Sequence, residues 1–537
     1  MNKSLLLLTV FSAISLARTY TWPSPWDELE DIAYLQSGHR RRGFHDGITP
    51  CGSFPQGGGD PFRQASAEWL RSAFHDAVTH NKATGTGGLD ASLLYETDRP
   101  ENNGAIGFKD TFAFFNNFFS RRVSLADLIA LGVSATVREC GGPVIPFRAG
   151  RVDATEAGEF GVPEPTTGID ATAAQFAKAG FTVEEMIALV ACGHTLGGVH
   201  GNDFPDIVGN DSHEAFPGFD KTSSRYDNNV VTEFLAGNTT NPLAVGPEGT
   251  NSDQRVFVAD KNVTMQSLAN PATFQSTCAS VFQRMVETVP ATVNLSETIA
   301  PIDVKPTISR LYLKDQTAVH FEGYIRVRMT DRKTEAPVVQ MPYVDSTGAH
   351  CDDCTIAAQP ATFQGGMGFG FDDSFKFYDF STDLQPGSIS RFNIQFTADA
   401  DETHTNNDLG YPVDKGIFHQ FPNSCLIQKD DENGNWNLTT VAAVRNDRAG
   451  LPTWMEVGVK RFTDGIVSPK LDVQKVEMTK WKEAGSSGFT LYSANFALPI
   501  ASWSTTYDLF NGEGDDQASV LNVRTTEAMG TCNDWVA

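Results

Sequence analysis

Basic residues are scarce in this sequence of 537 residues, where 41 lysines and arginines stand against 66 aspartates and glutamates, giving a formal net charge of −25. A surface that binds nucleic acid needs lysine and arginine to neutralise phosphates, and an anionic lipid surface makes the same demand. The composition therefore excludes a broad nucleic-acid surface, and it argues against docking on an anionic membrane.

Long apolar runs are missing beyond the first 17 residues. After them, 18 apolar residues never follow one another, so no transmembrane helix is predicted. Residues 1–17 carry Lys3, continue through an apolar stretch and end at Ser15-Leu16-Ala17, a pattern typical of a cleaved signal peptide. A buried N-terminal helix is the alternative. The C-terminus lacks the hydrophobic tail of a lipid-anchor signal, and we expect a secreted, extracellular protein.

Cysteine is sparse, with eight residues, and secretion would place them in an oxidising compartment. The spacing of Cys351 and Cys354 suits a metal half-site, a redox pair or a local disulfide, and the lack of a second pair at zinc spacing favours the disulfide. Cys192 lies in an apolar helical stretch, where a buried free thiol is expected. Several of five glycosylation sequons are expected to carry glycans, and these are Asn210, Asn238, Asn262, Asn294 and Asn437.

Helical patterns fill residues 60–290. Apolar residues recur at helical spacing after Asp60-Pro61, whose residue types suit the N-cap and N1 positions. Ser124-x-x-Asp127 and Thr182-x-x-Glu185 each begin another amphipathic helix, and the second is expected to stop at Gly197-Gly198. These features predict a mainly α domain over residues 18–300.

The pattern changes to strands beyond Pro301. Residues 311–329 and 392–396 alternate, residues 489–498 resemble a strand pair, and turns rich in Asp, Gly and Asn separate such runs. We therefore predict an all-β, sandwich-like domain over residues 301–537. Pro301 and Pro306 indicate a linker, so the two domains are expected to fold separately.

Arg71 and His75 lie four residues apart on the first strong helix, so their side chains share a face. A histidine that accepts and returns a proton beside a permanent cation suits cleavage of a peroxide O–O bond. A structural histidine is the alternative. A second Phe-His-Asp, at residues 44–46, lacks such an arginine within a helical pattern, and we assign it no catalytic role.

His194 ends the apolar helix that begins near Thr182. A buried histidine needs partners, and a haem iron is one. Asp253 can accept the other ring N–H, which would fix the tautomer and raise the basicity of the ligand nitrogen. The sequence has no Cys-x-x-Cys-His, so covalent c-type attachment is excluded and a b-type haem is expected.

Five stretches, in this order, resemble the haem peroxidase superfamily of plants, fungi and bacteria, and in particular its secreted fungal type. They cover about residues 45–290 and consist of residues 71–76, 87–92, 99–104, 150–154 and 191–197. The resemblance implies one haem b, two calcium ions and the use of hydrogen peroxide. Residues 145–153 are closer to the intracellular class, so the chain is not a clean member of either class.

The resemblance assigns roles by position. It makes His75 the distal acid–base group, Arg71 the distal cation and Asn102 the residue that orients His75, with Glu96 behind it. On the proximal side it makes His194 the iron ligand and Asp253 its carboxylate partner. Phe74 and Phe219 stand beside the haem where intracellular members carry tryptophan.

The resemblance also implies a disulfide and two calcium sites. Cys51 and Cys140 match a family disulfide, and Cys278 matches a cysteine that relatives bond to a C-terminal tail. The distal calcium set comprises Asp76, Gly88 through its carbonyl, Asp90 and Ser92. The proximal set comprises Thr195, Asp220, Thr222, Arg225 through its carbonyl, and Asp227. For the proximal set, a turn with helix caps is the alternative.

The expected function is a secreted, monomeric haem peroxidase that oxidises small phenolic-type donors by one-electron steps. Manganese oxidation is not expected, because the matching positions read Gln64, Glu68 and His200, with one carboxylate. Leu189 replaces the surface tryptophan of lignin-oxidising relatives, so the exposed haem edge is the expected donor route. The alternative function is a non-catalytic secreted protein that binds carbohydrate or a partner and has lost haem. A zinc site lacks any closely spaced ligand pair.

Overall fold

The computed structural model describes residues 20–52, 63–212, 214–345, 347–349, 353–413, 416–528 and 530–536. The predicted signal peptide, Asp60-Pro61 and Cys351 lie outside the described residues. The described chain has a helical N-terminal half and a C-terminal half of antiparallel sheets, which confirms the predicted fold class. Each α-helix in these ranges is too short or too polar to cross a membrane.

The described α-helices lie in the first 286 residues. They are α1 (Asp27–Tyr34), α2 (Ala65–Ala77), α3 (Ile106–Phe115), α4 (Leu125–Glu139), α5 (Ile169–Ala179), α6 (Val183–Gly193), α7 (Pro205–Val208), α8 (Asn229–Leu235), α9 (Pro242–Val245), α10 (Ser252–Phe257), α11 (Val263–Leu268) and α12 (Pro271–Val286). Helix α2 packs against α3 and α4, and α6 packs against α12, around one large hydrophobic core.

Local capping signals set several helix starts. The Ser124 side chain accepts a hydrogen bond from the backbone of Asp127 at the start of α4, and Thr182 and Glu185 form a complete capping box at the start of α6. Both starts agree with the prediction. Helix α6 ends at Gly193, four residues before the predicted stop at Gly197. His194 is its C-cap, so the histidine lies at the C-terminal end of the helix.

Disulfides hold the helical half together. The expected Cys51–Cys140 bond is present, with Cα atoms 5.2 Å apart. The prediction of a free thiol at Cys192 is wrong, because Cys192 is bonded to Cys278 on α12. The same bond excludes the expected link from Cys278 to a C-terminal tail. An apolar helical pattern cannot reveal this pairing, since a buried thiol and a buried disulfide occupy similar surroundings.

The described strands are all paired antiparallel. They are β1 (Ser37–Gly38), β2 (Val304–Leu313), β3 (Val319–Arg328), β4 (Val339–Val344), β5 (Thr355–Pro360), β6 (Met367–Phe369), β7 (Ser374–Leu384), β8 (Arg391–Phe392), β9 (Ile394–Thr397), β10 (Asp401–His404), β11 (Tyr411–Pro412), β12 (Ile417–His419), β13 (Cys425–Ile427), β14 (Asn435–Arg445), β15 (Thr453–Arg461), β16 (Lys470–Glu477), β17 (Thr479–Glu483), β18 (Phe489–Pro499), β19 (Thr506–Asn511) and β20 (Ala518–Arg524).

The β-rich half contains two structural units. In the first, the order is β1-β6-β7-β5-β4-β8-β11, with β2 joined through β3 to β7, and β10 joined through β9 to β4. The second pairs a sheet of order β12-β14-β18-β17, with β13 also on β14, with a sheet of order β16-β15-β19-β20. Apolar residues of the last two sheets share one core, which makes this unit a sandwich.

Two expectations about this half are wrong in detail. Residues 489–498 form one strand, β18, paired along its whole length with β14, because neither glycine nor proline interrupts the run before Pro499. Pro306 does not lie in a linker, since it pairs with Ile325 inside the β2–β3 ladder. Strand β2 is bonded to β3 alone, and such an edge strand tolerates a proline.

The N-terminal segment joins the two halves. Strand β1 extends the edge of β6, and helix α1 presents Glu30 and Asp31 to the β2–β3 hairpin. Lys305 Nζ lies 2.6 Å from Glu30 and 2.7 Å from Asp31, while Arg326 lies 2.8 Å from Asp31. Because Glu30, Lys305 and Arg326 are almost fully buried, these ion pairs form a buried polar cluster next to the region where a linker was expected.

The sandwich also contacts the helical half. Arg121, between α3 and α4, lies 2.7 Å from Glu456 on β15 and 3.1 Å from Asp508 on β19. Arg122 lies 3.1 Å from the same Asp508 oxygen. A third disulfide, Cys425–Cys532, fastens the C-terminal segment to β13, and Cys354 is disulfide-bonded as well.

Candidate active site

His75 lies near the end of α2, and its tautomer is fixed by its neighbours. Its Nδ1 lies 2.7 Å from Oδ1 of Asn102, and the amide nitrogen of Asn102 donates to the carbonyl of Glu96 at 2.9 Å. The amide oxygen must therefore face the ring and accept the Nδ1 proton. Nε2 is left as the basic nitrogen. Burial and the nearby Arg71 lower the pKa of His75 well below its ordinary value, so the ring is neutral.

Arg71 lies one helical turn before His75. Its guanidinium donates to the carbonyl of Asn103 at 2.5 Å and to that of Gly104 at 3.2 Å, and it lies 4.3 Å from the centre of the Phe108 ring. Burial lowers the pKa of Arg71 to about 10, so it remains a cation at neutral pH. The turn at residues 102–104 therefore holds both predicted distal residues.

His194 is held by a chain of two buried side chains. Its Nδ1 lies 2.9 Å from Oδ2 of Asp253, and that oxygen also accepts a hydrogen bond from Nδ2 of Asn241 at 2.7 Å. The ring stacks on Phe219 with centroids 4.2 Å apart. About one third of the His194 side chain, 32%, is accessible, whereas 1% of the Asp253 side chain is.

The free ring nitrogen of His194 suits a metal ligand. Because Nδ1 donates to a carboxylate, Nε2 carries the lone pair, and no described residue forms a hydrogen bond with it. Sequence reasoning missed Asn241. The signal was Asn241-Pro242, an N-cap and N1 pair, since the Asn241 oxygen caps α9 by accepting from Leu243.

Phe74 lies beside His75 on α2. Its ring centre is 5.9 Å from that of His75 and 5.7 Å from that of Phe176 on α5. Phe74 is half-buried and packs against the large helical core. It therefore forms an apolar wall next to the distal histidine, as Phe219 does next to the proximal one.

The predicted distal calcium residues meet beneath α2. The Asp76 carboxylate accepts hydrogen bonds from the backbone of Asp90, Ala91 and Leu93 at 2.7–3.0 Å. Burial and the adjacent Asp90 raise the pKa of Asp76 well above its ordinary value. The buried Ser92 hydroxyl has no hydrogen-bond partner among the described residues. Gly88 has φ +105°, and a Cβ there would lie 2.6 Å from the Thr288 carbonyl oxygen, so this approach requires glycine.

The predicted proximal calcium residues also converge. Asp220 Oδ1 accepts from the backbone of Thr222 at 2.7 Å, the Thr222 hydroxyl donates to Asp227 at 3.1 Å, and the Thr195 hydroxyl donates to the Asp227 carbonyl. The buried Oδ2 of Asp220 has no partner among the described residues. Burial raises the pKa of Asp220 to about 6. The Arg225 side chain is exposed, and because a guanidinium has no acceptor atom, only the Arg225 carbonyl could contribute.

A cavity of about 560 Å³ opens beside the distal residues. Asn102, the partner of His75, is part of its wall, and so is Asn103, the partner of Arg71. Further lining residues are 164–166, 203–207 and Thr250. The cavity therefore adjoins the groups that the sequence assigns to catalysis.

Other sequence candidates lie in structural positions. Glu68 is ion-paired with Arg63, and the Gln64 amide donates to the carbonyls of Cys51 and Ser223 at 3.0 Å. His45 is buried against Phe371, and burial lowers its pKa to about 3.

Comparisons with known proteins find similarity to peroxidases. The family model described as Peroxidase matches residues 60–280. A WSC domain-containing protein of Arthroderma benhamiae is 39% identical over 98% of this chain and 71% of its own length. The peroxisomal L-ascorbate peroxidase 5 of Arabidopsis thaliana is 33% identical over 33% of this chain and 60% of its own length. The versatile peroxidase VPS1 of Pleurotus eryngii is 31% identical over 34% of this chain and 50% of its own length.

These matches differ in how much of the chain they include. The two named peroxidases each match about a third of it, whereas the Arthroderma benhamiae protein aligns along nearly all of it. The helical half and the β-rich half therefore occur together in another protein, in the same order.

Proposed function

We propose that this chain, which belongs to the haem peroxidase superfamily, binds one haem b through His194 and reduces hydrogen peroxide while it oxidises small organic donors. The proposal places the protein outside the cell as a glycosylated monomer. The predicted signal peptide and the disulfides of the described chain support secretion.

One observation carries the proposal. Two histidines on neighbouring helices each have Nδ1 bound to a buried side chain and Nε2 left unbonded, His75 through Asn102 and His194 through Asp253. A carboxylate behind a histidine increases its basicity and suits an iron ligand. A neutral amide behind a histidine leaves the ring free to accept a proton and to release it again.

The residues present fit a haem. The accessible face of His194, its unbonded Nε2 and the apolar side chains of Phe74 and Phe219 are what such a group needs. Bound haem would supply redox-active iron, which passes two electrons to the peroxide and regains them from donors.

The protein's own groups would move the protons. Nε2 of His75 accepts the proton of one peroxide oxygen and delivers it to the other oxygen, which leaves as water. Arg71 stabilises the negative charge that develops on the leaving oxygen. Asn102 keeps the Nδ1 proton in place, so that Nε2 is always the acceptor.

The reaction balances with two donor molecules. Each phenol loses one electron and one proton and becomes a phenoxyl radical. One hydrogen peroxide takes up both electrons and both protons, its O–O bond breaks, and two water molecules form.

We also propose two calcium ions. Two carboxylates face each other at each predicted site, Asp76 with Asp90 and Asp220 with Asp227, and their mutual repulsion favours a bound cation. The unpartnered Ser92 hydroxyl and Asp220 Oδ2 are free ligand atoms. The distal site has less free ligand capacity, since Asp76 already accepts three backbone hydrogen bonds.

Peroxide-dependent oxidation of a simple phenol tests the proposal. Purified, haem-saturated protein should convert two equivalents of guaiacol per equivalent of hydrogen peroxide, and the His75→Ala variant should be strongly impaired. A protein that binds no haem, or that binds haem but oxidises no phenol, would fit the non-catalytic binding alternative and would overturn the proposal.

A further inference from the structure

The 560 Å³ cavity beside the distal residues carries an unbalanced set of charges. Its charged lining residues are Asp98, Arg99, Glu164, Asp203 and Asp206, four acids against one base. A concave surface lined by one sign of charge concentrates ligands of the opposite sign. The charge of the whole chain, −25, acts in the same direction.

The one lining arginine is occupied by the protein itself. Arg99 donates to the carbonyl of Gly158 at 2.7 Å, lies 3.4 Å from Glu96 and covers the ring of Phe160 at 4.0 Å. Its side chain is 14% accessible. The positive charge of Arg99 therefore offsets the negative charge of Glu96 more than it offsets the acidic residues of the cavity.

Two of the acids have no ion-pair partner within the described chain. Glu164 and Asp206 are both exposed, and both line the cavity. Asp203 is different, because it lies 3.4 Å from Arg63, which in turn is bonded to Glu68. Asp98 lies 3.7 Å from Lys109 and is almost fully exposed. Arg255 donates to the carbonyl of Pro165, a lining residue, and to that of Thr167.

We infer that this cavity is the donor entrance and that it selects aromatic donors by charge, favouring cationic over neutral and neutral over anionic ones, through Glu164 and Asp206. The inference rests on the proposed peroxidase function for its catalytic consequence. Asn102 and Asn103 line the cavity and bond His75 and Arg71, so a donor bound there would be one residue away from the proposed reacting groups.

Three phenols that differ only in the end group of the same two-carbon chain test this selection. Tyramine carries an ammonium group, tyrosol a hydroxyl group and 3-(4-hydroxyphenyl)propionate a carboxylate, and at pH 6 all three rings are un-ionised. Their dissociation constants are measured first by saturation-transfer NMR without peroxide, and kcat/KM is then measured with peroxide, at 10 mM and 500 mM salt.

At low salt, tyramine should bind at least about tenfold more tightly than the propionate, and its kcat/KM should be higher by at least the same factor. Tyrosol should lie between them in both quantities. High salt should bring the three values together, because the screening length falls to a few ångströms. The double variant Glu164→Gln/Asp206→Asn should lose most of the preference. Its control is Glu513→Gln/Asp515→Asn, two exposed acids in the β19–β20 hairpin, which should keep it.

The outcomes separate this inference from the proposed function. Equal affinities for the three phenols, or a preference that persists in the Glu164→Gln/Asp206→Asn variant, would overturn the inference. If the predicted order of affinity is present but no phenol is oxidised, the entrance is charge-selective and the peroxidase proposal is wrong. If all are oxidised at one rate and bound equally, the peroxidase proposal stands and the charge selection is wrong.

Discussion

Asn241 donates its side-chain amide to Oδ2 of Asp253 over 2.7 Å, and this is the same oxygen that lies 2.9 Å from Nδ1 of His194. The Asn241 oxygen accepts from the backbone of Leu243 at 2.9 Å, which fixes the orientation of the amide. Asp253 therefore cannot turn away from His194 without leaving Asn241 unpaired. Asn241 is a positioning residue for the proposed iron ligand, and it acts through Asp253.

Replacing Asn241 with alanine should weaken haem binding without unfolding the protein. Residues behind a metal-binding histidine are typically worth about 10–100-fold in metal affinity, and a similar loss is expected when haem binding to apoprotein is titrated by absorbance. Ser252→Ala is the matched control, since Ser252 contacts Asp253 only at 3.5 Å. Equal haem affinity in both variants, with native circular dichroism, would exclude the positioning role.

Chelation should destabilise the helical half. Removal of the proposed calcium ions leaves Asp76 and Asp90, and Asp220 and Asp227, as repelling pairs, and a ligand that binds only the native state stabilises by mass action. The thermal midpoint should fall in a chelator and recover with added calcium. Asp220→Asn should weaken this calcium response more than Asp447→Asn, an exposed acid on the sandwich. Metal-free protein, verified by elemental analysis, that melts unchanged would rule out both sites.

Lys305→Met should be strongly destabilising. It leaves the buried Glu30 with Arg326 and the backbone N–H of Ile302 as partners, and it removes one of the two cations paired with Asp31. Breaking a buried ion pair typically costs about 3–5 kcal/mol. Lys480→Met removes an exposed pair with Glu483 and should cost less than about 1 kcal/mol. Denaturant unfolding measures both. Similar costs for the two variants would show that the buried cluster adds little stability.

The buried cluster around Lys305 also bears on whether the two domains fold separately, which stays a prediction. A fragment of residues 18–300 lacks Lys305 and Arg326, so it exposes Glu30 and Asp31 without their partners. It also lacks Glu456 and Asp508, the partners of Arg121. We expect this fragment to melt below the full chain even if it retains haem and peroxide chemistry, and calorimetry of the two proteins would measure the difference.

Local signals explain what the sequence predicted well. Ser124 and Thr182 cap helices with residues three positions away, so both helix starts could be read directly. The contact between His75 and Asn102, 27 residues apart, came instead from the family resemblance. The bond between Cys192 and Cys278 spans 86 residues and leaves no local trace. The Glu30–Lys305 pair spans 275 residues and joins helix α1 to strand β2, so no local pattern predicts it.

Stability should fall in acid partly through His419 in the sandwich. Its Nε2 lies 2.8 Å from the Tyr507 hydroxyl, and burial lowers its pKa to about 4. The unfolded chain binds the proton near pH 6.5, so stability is complete above that pH and is lost as pH falls toward 4, by up to about 3 kcal/mol. Urea unfolding at pH 7 and pH 4 should show a smaller difference in His419→Gln than in the native chain. An identical difference would contradict this assignment.

The central claim is that His75 is the proton acceptor in a haem site ligated by His194. Its most direct test is the rate constant for reaction of the haem-saturated His75→Ala variant with hydrogen peroxide, measured by stopped-flow absorbance. The account predicts the haem affinity of the native chain and a rate constant lower by about 10²–10⁴-fold, the usual contribution of a general acid–base group. An unchanged rate constant in a variant that binds haem normally would contradict the account.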